Sequence, residues 1–260
     1  MKIKVWKWIV LVSAAAVLSV VGYAGYTIVH YMRTSPRFAV QTVSVVGLNR
    51  VEQKHVLGQA GMEAAANVFS VDLEEVRQRV EGLKWVRFAT VQRLLPDTIA
   101  IKIVERTPVG LARIRGEIFQ FDAEAELLNR DRGAGADFPI LHGLTDEPEL
   151  NRKKVALYIQ IMEELHGKDE LSEVQIDDAL EVSVISLHEP VLVTLGADHF
   201  RDRWGMYLQL RTKIQTEYPE TVQVDFRFRD QAILRTTVDG APDDEQKVQK
   251  VIWDTEKKSL

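Results

Sequence analysis

The sequence predicts an α+β architecture: a single N-terminal transmembrane helix, a small domain of order β-α-α-β-β, then a mostly antiparallel β domain with backing helices. Three observations carry this expectation. Residues 8–29 (WIVLVSAAAVLSVVGYAGYTIV) hold no charged side chain over 22 positions, about the length at which a helix crosses a hydrocarbon core. Further on, Ile99, Ile101 and Ile103 alternate as in a half-buried strand, after two segments with helical spacing. From position 108 the chain breaks into short β-rich runs separated by polar turns, with two helix-length segments among them.

The apolar run has the flanks of a membrane anchor. Lys2, Lys4 and Lys7 precede it, Trp6 and Trp8 sit where an interfacial aromatic belt would lie, and Tyr23, Tyr26 and Tyr31 mark the far end. Residues 1–7 are then a cytoplasmic tail and 8–29 the span. Arg33 and Arg37 dilute the charge asymmetry. The orientation therefore rests on the three lysines and on the length of the C-terminal region, because long domains translocate largely regardless of charge. A cleaved signal peptide would have an apolar core of about 7–15 residues ending at small residues. Here Ala14, Ala15 and Ala16 lie in mid-run, so an uncleaved anchor is expected. A buried soluble helix would need a polar stripe, and none interrupts the run. Residues 30–37 form a short linker in which Pro36 stops the helix.

The chain has 33 basic and 38 acidic residues, a net charge of -5, and no basic run outside the membrane flank. That argues against a nucleic-acid partner. Cysteine is absent, so in an oxidising compartment the domains must be held by ordinary hydrophobic cores rather than disulfides.

Residues 38–107 read as the first domain. Phe38, Val40, Val43, Val45 and Val46 form a β-rich run closed by the turn signal Gly47-Leu48-Asn49. Residues 53–60 suit a short helix stopped by Gly61. A second helix has Asp72 as its cap, Glu75 three positions on as in a capping box, Leu73, Val76 and Val80 on one face, and Gly82 at its end. Strands over 85–93 and 98–105 come next, joined by Leu95-Pro96-Asp97. Two short helices need one apolar surface to cover, and a three-stranded sheet supplies it.

Several motifs in this stretch have a recognisable spacing: Val-x-Gly-Leu-Asn at 45–49, Asn-Val-Phe at 67–69, Trp85-Val86, Val-x-Arg-x-x-Pro at 91–96 and Glu-Arg-x-Pro at 105–108. Together they resemble the POTRA domain of the FtsQ/DivIB bacterial cell-division family, with RLLPDTIAIKIVERTPVG (93–110) the most specific part. In that family a cytoplasmic tail, one span, a POTRA domain and a β-rich domain succeed one another, and the resemblance covers nearly the whole chain. Glu52 departs from the family, which commonly has a Ser or Thr helix cap there.

Residues 108–238 read as the second domain. Strands are expected at 109–114, 118–121, 126–128, 173–176, 180–186, 191–195, 222–228 and 232–238, with helices over 149–166 and 200–216. Ala125 stands where the family often has a turn glycine. Leu195-Gly196, Arg203 and Asp-x-Arg-Phe at 225–228 match the family's late motifs. Residues 239–260 are polar and expected to be disordered, although Val248, Val251, Ile252 and Trp253 have helical spacing.

No catalytic constellation emerges. The six histidines make no HExxH pair, and there is no GxSxG turn, P-loop or GxGxxG. Asp198-His199 and His188-Glu189 are the nearest acid/base pairs, and both fall at turns. Asp177-Asp178 and Asp243-Asp244-Glu245 read as turn and cap residues rather than cation ligands. No enzyme activity, cofactor or metal is expected. What remains is interaction through open sheet edges, which accept an added strand by backbone hydrogen bonds. Arg227, Phe228 and Ile233 flank the last edge and are the candidate partner-binding residues; their alternative role is core packing, since only one parity of a strand faces outward.

The resemblance implies a non-enzymatic divisome scaffold of the bacterial inner membrane, at the septum, with its N-terminus cytoplasmic and its domains periplasmic. It further implies a POTRA domain serving septal targeting and a β domain binding the small bitopic proteins FtsB and FtsL, which would help control septal peptidoglycan synthesis. In the family, the position of Phe228 commonly carries a Tyr that touches the partner. A POTRA-bearing outer-membrane assembly or secretion factor would need tandem repeats or a barrel pattern, and an anchored cell-wall hydrolase would show in a zymogram.

Overall fold

The computed structural model describes residues 2–61, 66–130, 137–228, 231–236 and 247–252, and the chain divides into two compact units, Met1–Arg106 and Thr107–Leu260. The first opens with helix α1, Lys2–Thr34. It takes in most of the expected linker and stops two residues short of Pro36, whose ring and missing N–H would break it. Between Leu11 and Thr34 none of α1 is buried, and among the described residues it is the one helix long and apolar enough to cross a membrane. So much bare apolar surface is stable only where something other than water covers it.

The end of α1 is tied to the loop before the third helix of its unit. Asn67 Nδ2 donates to the Met32 carbonyl at 3.0 Å, the Tyr31 ring meets Phe38 edge-on, and Phe38 meets Phe69 in the same way. Phe38 and Val40, expected within the first strand, instead run beside that loop: Val68 N–H donates to Phe38 O and Val40 N–H to Ala66 O. Strand β1 is accordingly short, Thr42–Val46. Helices α2 (Gln53–Ala60) and α3 (Leu73–Glu81) and strands β2 (Val86–Leu94) and β3 (Thr98–Glu105) complete the β-α-α-β-β order. The sheet runs β1-β3-β2, with β1 parallel and β2 antiparallel to the central strand. Alternation decides the core: Ile99, Ile101 and Ile103 are buried with Val56 and Ala60 of α2 and Val76 and Val80 of α3. Asp72 caps α3 by accepting from Glu74 and Glu75 N–H, but Glu75 pairs with Arg79 instead of closing the capping box.

The second unit is built on one sheet of ten strands, β4 (Pro108–Ile114), β5 (Glu117–Asp122), β6 (Leu127–Arg130), β7 (Ile140–His142), β8 (Leu171–Ile176), β9 (Val182–Ser186), β10 (Leu192–Gly196), β11 (Thr221–Asp225), β12 (Gln231–Thr236) and β13 (Lys247–Ile252). Their spatial order is β13-β12-β11-β10-β9-β8-β7-β4-β5-β6. Neighbours are mostly antiparallel; β4 with β7, β7 with β8 and β10 with β11 are parallel. Helices α4 (Pro148–Glu164) and α6 (Phe200–Glu217) contribute to its core, and a single turn, α5 (Gly167–Glu170), comes after α4. Val174, Val184, Val193, Val224 and Leu234 pack there with Tyr158, Trp204 and Tyr207.

Two elements differ from the sequence expectation in ways that matter for function. Residues 140–142 form β7, a three-residue strand whose hydrogen-bonded neighbours on both sides run parallel to it. Lys247–Ile252, within the stretch expected to be disordered, is β13, paired antiparallel with β12 along its whole length. A polar segment with three aliphatic residues gains little from a core, yet an unpaired strand edge offers it partners for the backbone groups along one of its sides. Trp253 and Asp243-Asp244-Glu245 lie outside the described residues.

Candidate partner-binding surface

The late sequence motifs converge at the C-terminal ends of β10 and β11. Gly196 closes β10 with φ +80; a Cβ there would lie 2.8 Å from Arg203 Nη1 and 2.9 Å from Arg227 Cγ. Only glycine satisfies both the left-handed backbone and the close approach of two arginines. Arg203 reaches back from α6 to donate to the carbonyls of Leu195 and Asp198, and pairs with the Asp198 carboxylate at 2.8 Å. Arg227 closes on its own strand: Nε and Nη2 face the Asp225 carboxylate in the two-pronged arrangement that guanidinium favours, and Nη1 lies 2.6 Å from Glu181. The hydrogen bond to Asp225 raises the Arg227 guanidinium still further above its ordinary value, against the burial that would lower it.

The three candidate residues are thus brought to one end of the sheet but differ in availability. Arg227 has two carboxylate partners within the chain, so its first role is to fix the end of β11. Phe226 is buried, its ring 6.4 Å from Tyr207, whereas Phe228 is 42 % exposed. Phe228 lies midway along the connection between β11 and β12 and leaves its ring partly in solvent. Ile233 is half-buried and sits in register with Asp225 on one side and Lys250 on the other. Strand β12 is therefore not the edge the sequence suggested: β13 pairs with it along Gln231–Thr236, and β11 pairs with Ile233–Thr236 on its other side. The spacing of the two charges in Asp225-x-Arg227 already signalled the ion pair, since residues two apart on a strand share a face; nothing local signalled that 247–252 would pair.

Next to this edge the sheet face carries a polar ladder. Ser183 Oγ and Gln223 Nε2 both bond Thr194 Oγ1, at 3.2 and 3.0 Å, and Arg235 Nη1 reaches Gln223 Oε1 at 3.3 Å. The acid/base pairs noted in the sequence have structural partners instead. Glu189 accepts from the Tyr207 hydroxyl at 2.6 Å; burial, reinforced by this bond, raises the Tyr207 phenol. Asp177 accepts from Ala179 and Glu181 N–H, and Asp178 pairs with the fully buried Lys154. His199 is exposed and stands at the N-cap position of α6 in a left-handed backbone, without a side-chain cap hydrogen bond. Among the described residues no three His, Asp or Glu side chains cluster as a metal would require.

The early motifs have equally definite work. Gly47 has φ +88, and a Cβ there would fall 2.0 Å from the Ile103 carbonyl oxygen. The turn it opens is held by Glu105, whose carboxylate accepts from the backbone N–H groups of Asn49, Arg50 and Val51 at 2.9–3.0 Å. Burial alone would raise that carboxyl; the three N–H groups outweigh it and hold Glu105 below the usual carboxylate range. Arg93 donates to the carbonyls of Val68 and Val71, fixing the loop before α3.

Residues 38–106 match the family model described as POTRA domain, FtsQ-type. Among curated proteins, the chain is 30% identical over 232 residues to the cell division protein FtsQ of Koribacter versatilis, covering 84% of this chain and 67% of that one. The chain belongs to the FtsQ family. Another FtsQ, from Geotalea daltonii, is 23% identical over 236 residues, 86% of each chain. Family membership supports a role in the division machinery, and α1 fits a single-pass membrane protein. In FtsQ terms the fold is an apolar N-terminal helix, a POTRA-type domain and a large β sheet with several helices. Among solved structures, the extracytoplasmic domain of DivIB from Geobacillus stearothermophilus is 16% identical with a TM-score of 0.31, over 43% of this chain and 96% of that one, a likeness too slight for comparing the two element by element.

Proposed function

We propose that this chain is a non-catalytic scaffold of the divisome, anchored in the inner membrane by α1 with its N-terminus cytoplasmic, that binds FtsB- and FtsL-type bitopic division proteins through the C-terminal end of its large sheet. The observation that carries this reading is Phe228. It is a large aromatic ring left 42 % exposed beside a strand end that Asp225, Glu181 and Arg203 hold rigid. Exposed aromatics on pre-ordered backbone are the usual anchors of protein interfaces. Arg227 acts by holding that backbone, and Ile233 supplies apolar surface two residues into β12.

Phe228→Ala tests this. An aromatic anchor is worth about 2 kcal/mol, so truncation should weaken binding of the partner domains roughly 30-fold. The melting temperature should hardly move, because the ring lies outside the buried cluster of its unit. A variant that binds as well as the parent, or melts many degrees early, removes Phe228 from the interface. Co-purification of the full chain with FtsB- and FtsL-type partners tests the scaffold role itself, and a reporter fused after Leu260 tests the orientation of α1.

A further inference from the structure

We infer that the tip of the β2–β3 hairpin is a second membrane contact of the first unit: Leu94 and Leu95 sink into the headgroup layer of the bilayer that α1 spans, and so fix the tilt of the POTRA-type domain on it. This rests on α1 crossing a membrane, and the occupant of the tip is phospholipid.

Among the described residues outside α1, Leu95 is the most exposed large hydrophobic side chain, at 58 %, and Leu94 beside it is 50 % exposed. Neither belongs to the core cluster of the unit. Adjacent leucines bared at a turn mark a surface that something apolar covers. The topology says what lies against them. Strands β1 and β3 run parallel from Thr42 and Thr98, and β2 returns antiparallel to end at Leu94, opposite Thr98. The tip therefore stands at the end of the sheet where the chain arrives from α1. It is held there, because the Asp97 carbonyl accepts from Gln41 N–H at 2.9 Å and Arg93 Nε donates to the Val68 carbonyl at 2.8 Å. The loop that carries Val68 is tied to α1 in turn, through the bond from Asn67 Nδ2 to the Met32 carbonyl. Two side chains, Asn67 and Arg93, thus link the end of α1 to the residue before Leu94.

Helix length sets the level of that link in a bilayer. Residues 8–29 of α1 make about 33 Å of helix against a hydrocarbon core of about 30 Å, so the core ends near Val29 and Met32 falls about 5 Å beyond it, among the headgroups. Arg33 and Arg37 are exposed just past this point, at the level of the lipid phosphates. The half-buried Asp97 has a partner within the tip, accepting from the Thr98 hydroxyl at 3.1 Å. Bare leucines beside two cations, tied to a spanning helix, match the apolar boundary and the phosphates of a bilayer. Phe88 supplies the comparison. Its ring is 48 % exposed on the same strand, yet it lies six residues before Leu94, about 20 Å away at the opposite end of the sheet.

The test is photolabelling of the unaltered full chain in nanodiscs of phosphatidylethanolamine and phosphatidylglycerol, with adducts mapped by peptide mass spectrometry. One set of discs carries a phospholipid with a diazirine near its headgroup, a second set one with the diazirine near the end of its acyl chain. The headgroup probe should label residues 94–96 together with 31–34 and leave 86–90 unlabelled, whereas the deep probe should label within 11–29. In Leu94→Gln with Leu95→Gln, labelling of 92–97 should fall at least several-fold while 31–34 keep theirs. Both side chains lie outside the buried cluster, so the melting temperature of this variant should match the parent's; if it does not, Leu95→Gln alone takes its place. Absence of adducts at 94–96 while 31–34 are labelled overturns the proposal and leaves the leucines to a protein partner. Equal labelling of 86–90 overturns it too, since the sheet would then touch lipid without a fixed tilt, as do adducts that persist in the glutamine variant, where the tether alone would keep the tip near lipid. Failure of the span reads differently: the deep probe would then leave 11–29 unlabelled.

Discussion

The two units solve the same problem, immobilising loops around a sheet, with different materials. Among the described residues, the buried core of the first contains nothing larger than isoleucine: Val56, Val76, Val80, Val86, Ile99, Ile101 and Ile103, with Ala60 and Ala89 among them. The second is built around six buried rings, Phe121, Tyr158, Phe200, Trp204, Tyr207 and Phe226, with Phe121 set edge-on to Tyr158 and Trp204 against Tyr207. A three-stranded sheet under two short helices encloses a shallow layer that β-branched side chains fill. It has little apolar area left over to hold its loops, so long polar side chains reach back to the backbone: Glu105 to 49–51, Arg93 to Val68 and Val71, Glu81 to Ala89. The larger sheet uses such locks too, at Arg203, Asp177 and Asp122, and adds its rings to them, as where the Tyr158 hydroxyl donates to the Pro139 carbonyl at 2.8 Å.

If the first unit depends on so thin a layer, one charge inside it should undo it. Ile101 is fully buried at the centre of β3, and Ile101→Asp would leave a carboxylate with no partner there. The expected cost is about 4 kcal/mol or more, close to the whole stability of a domain this small. Hydrogen exchange should show protection lost in β1 and β3 without an equal loss in the second unit. A fully protected β3 in the variant would mean that the shallow core is not what holds the unit.

The polar locks come next in size. Glu105→Gln keeps the shape but removes the charge that three N–H groups converge on, and should cost about 2 kcal/mol near neutral pH. The pH dependence is set by the direction of its shift. Glu105 is held below its ordinary value in the folded chain, so its stabilising contribution is complete above the unfolded pKa of about 4.3 and is lost as pH falls through the lower folded value. Stability of the first unit measured from pH 6 down to pH 3 should therefore fall more steeply in the parent than in Glu105→Gln. Parallel curves would show that Glu105 is not the acid-sensitive lock. The counterpart in the second unit is Tyr158→Phe, which removes one neutral hydrogen bond while keeping the ring, at a cost of about 1 kcal/mol. A larger loss there than at Glu105 would reverse the contrast between a unit that depends on its polar locks and one that adds buried rings to them.

How far the sequence revealed these two units divides along the same line. In the first, period and capping agree with the fold along almost its entire length: Ile99, Ile101 and Ile103 face the helices, and Asp72 caps α3. Local preference and global structure coincide there, and the misreading at Phe38 and Val40 arose because those apolar residues pack on the 66–69 loop instead of extending β1. In the second, the elements the sequence did not reveal are those created by partners distant in the chain. β7 exists as a strand because β4 and β8 flank it, and β13 because β12 had an unfilled edge; neither has the alternation of a strand in its own sequence. The candidate site was legible in the same partial way. The exposure of Phe228 against the burial of Phe226 could not be had from alternation alone, which sets both on one face, and the pairing of Arg227 with Glu181, 46 residues away, depends on how β9 and β11 end.

The smallest effect concerns a residue at which the larger unit carries strain that the smaller one avoids. Gly47 and Ala125 both have left-handed backbones, at φ +88 and φ +65, but only the first is glycine. At Gly47 the choice is forced, because a methyl group would strike the Ile103 carbonyl. At Ala125 the turn is imposed from outside. The buried Asp122 carboxylate accepts from Glu124 and Glu126 N–H, and Ala125 N–H donates to the Asp122 carbonyl, which together fix the loop between β5 and β6 whatever residue stands there. An alanine in this region costs about 1–2 kcal/mol. Ala125→Gly relieves that strain but gives up a methyl contact with the core edge and adds freedom to the unfolded chain, worth about 0.4–1 kcal/mol. The net should be a gain of about 0.5 kcal/mol, or about 1–2 °C in the melting temperature of a unit this size. The denaturant midpoint should rise with its slope unchanged. Ala125→Val, with a β-branched side chain in the same backbone, should move it the other way. If glycine destabilises instead, the methyl contact outweighs the backbone strain, and even this loop of the second unit is held by apolar packing rather than by Asp122.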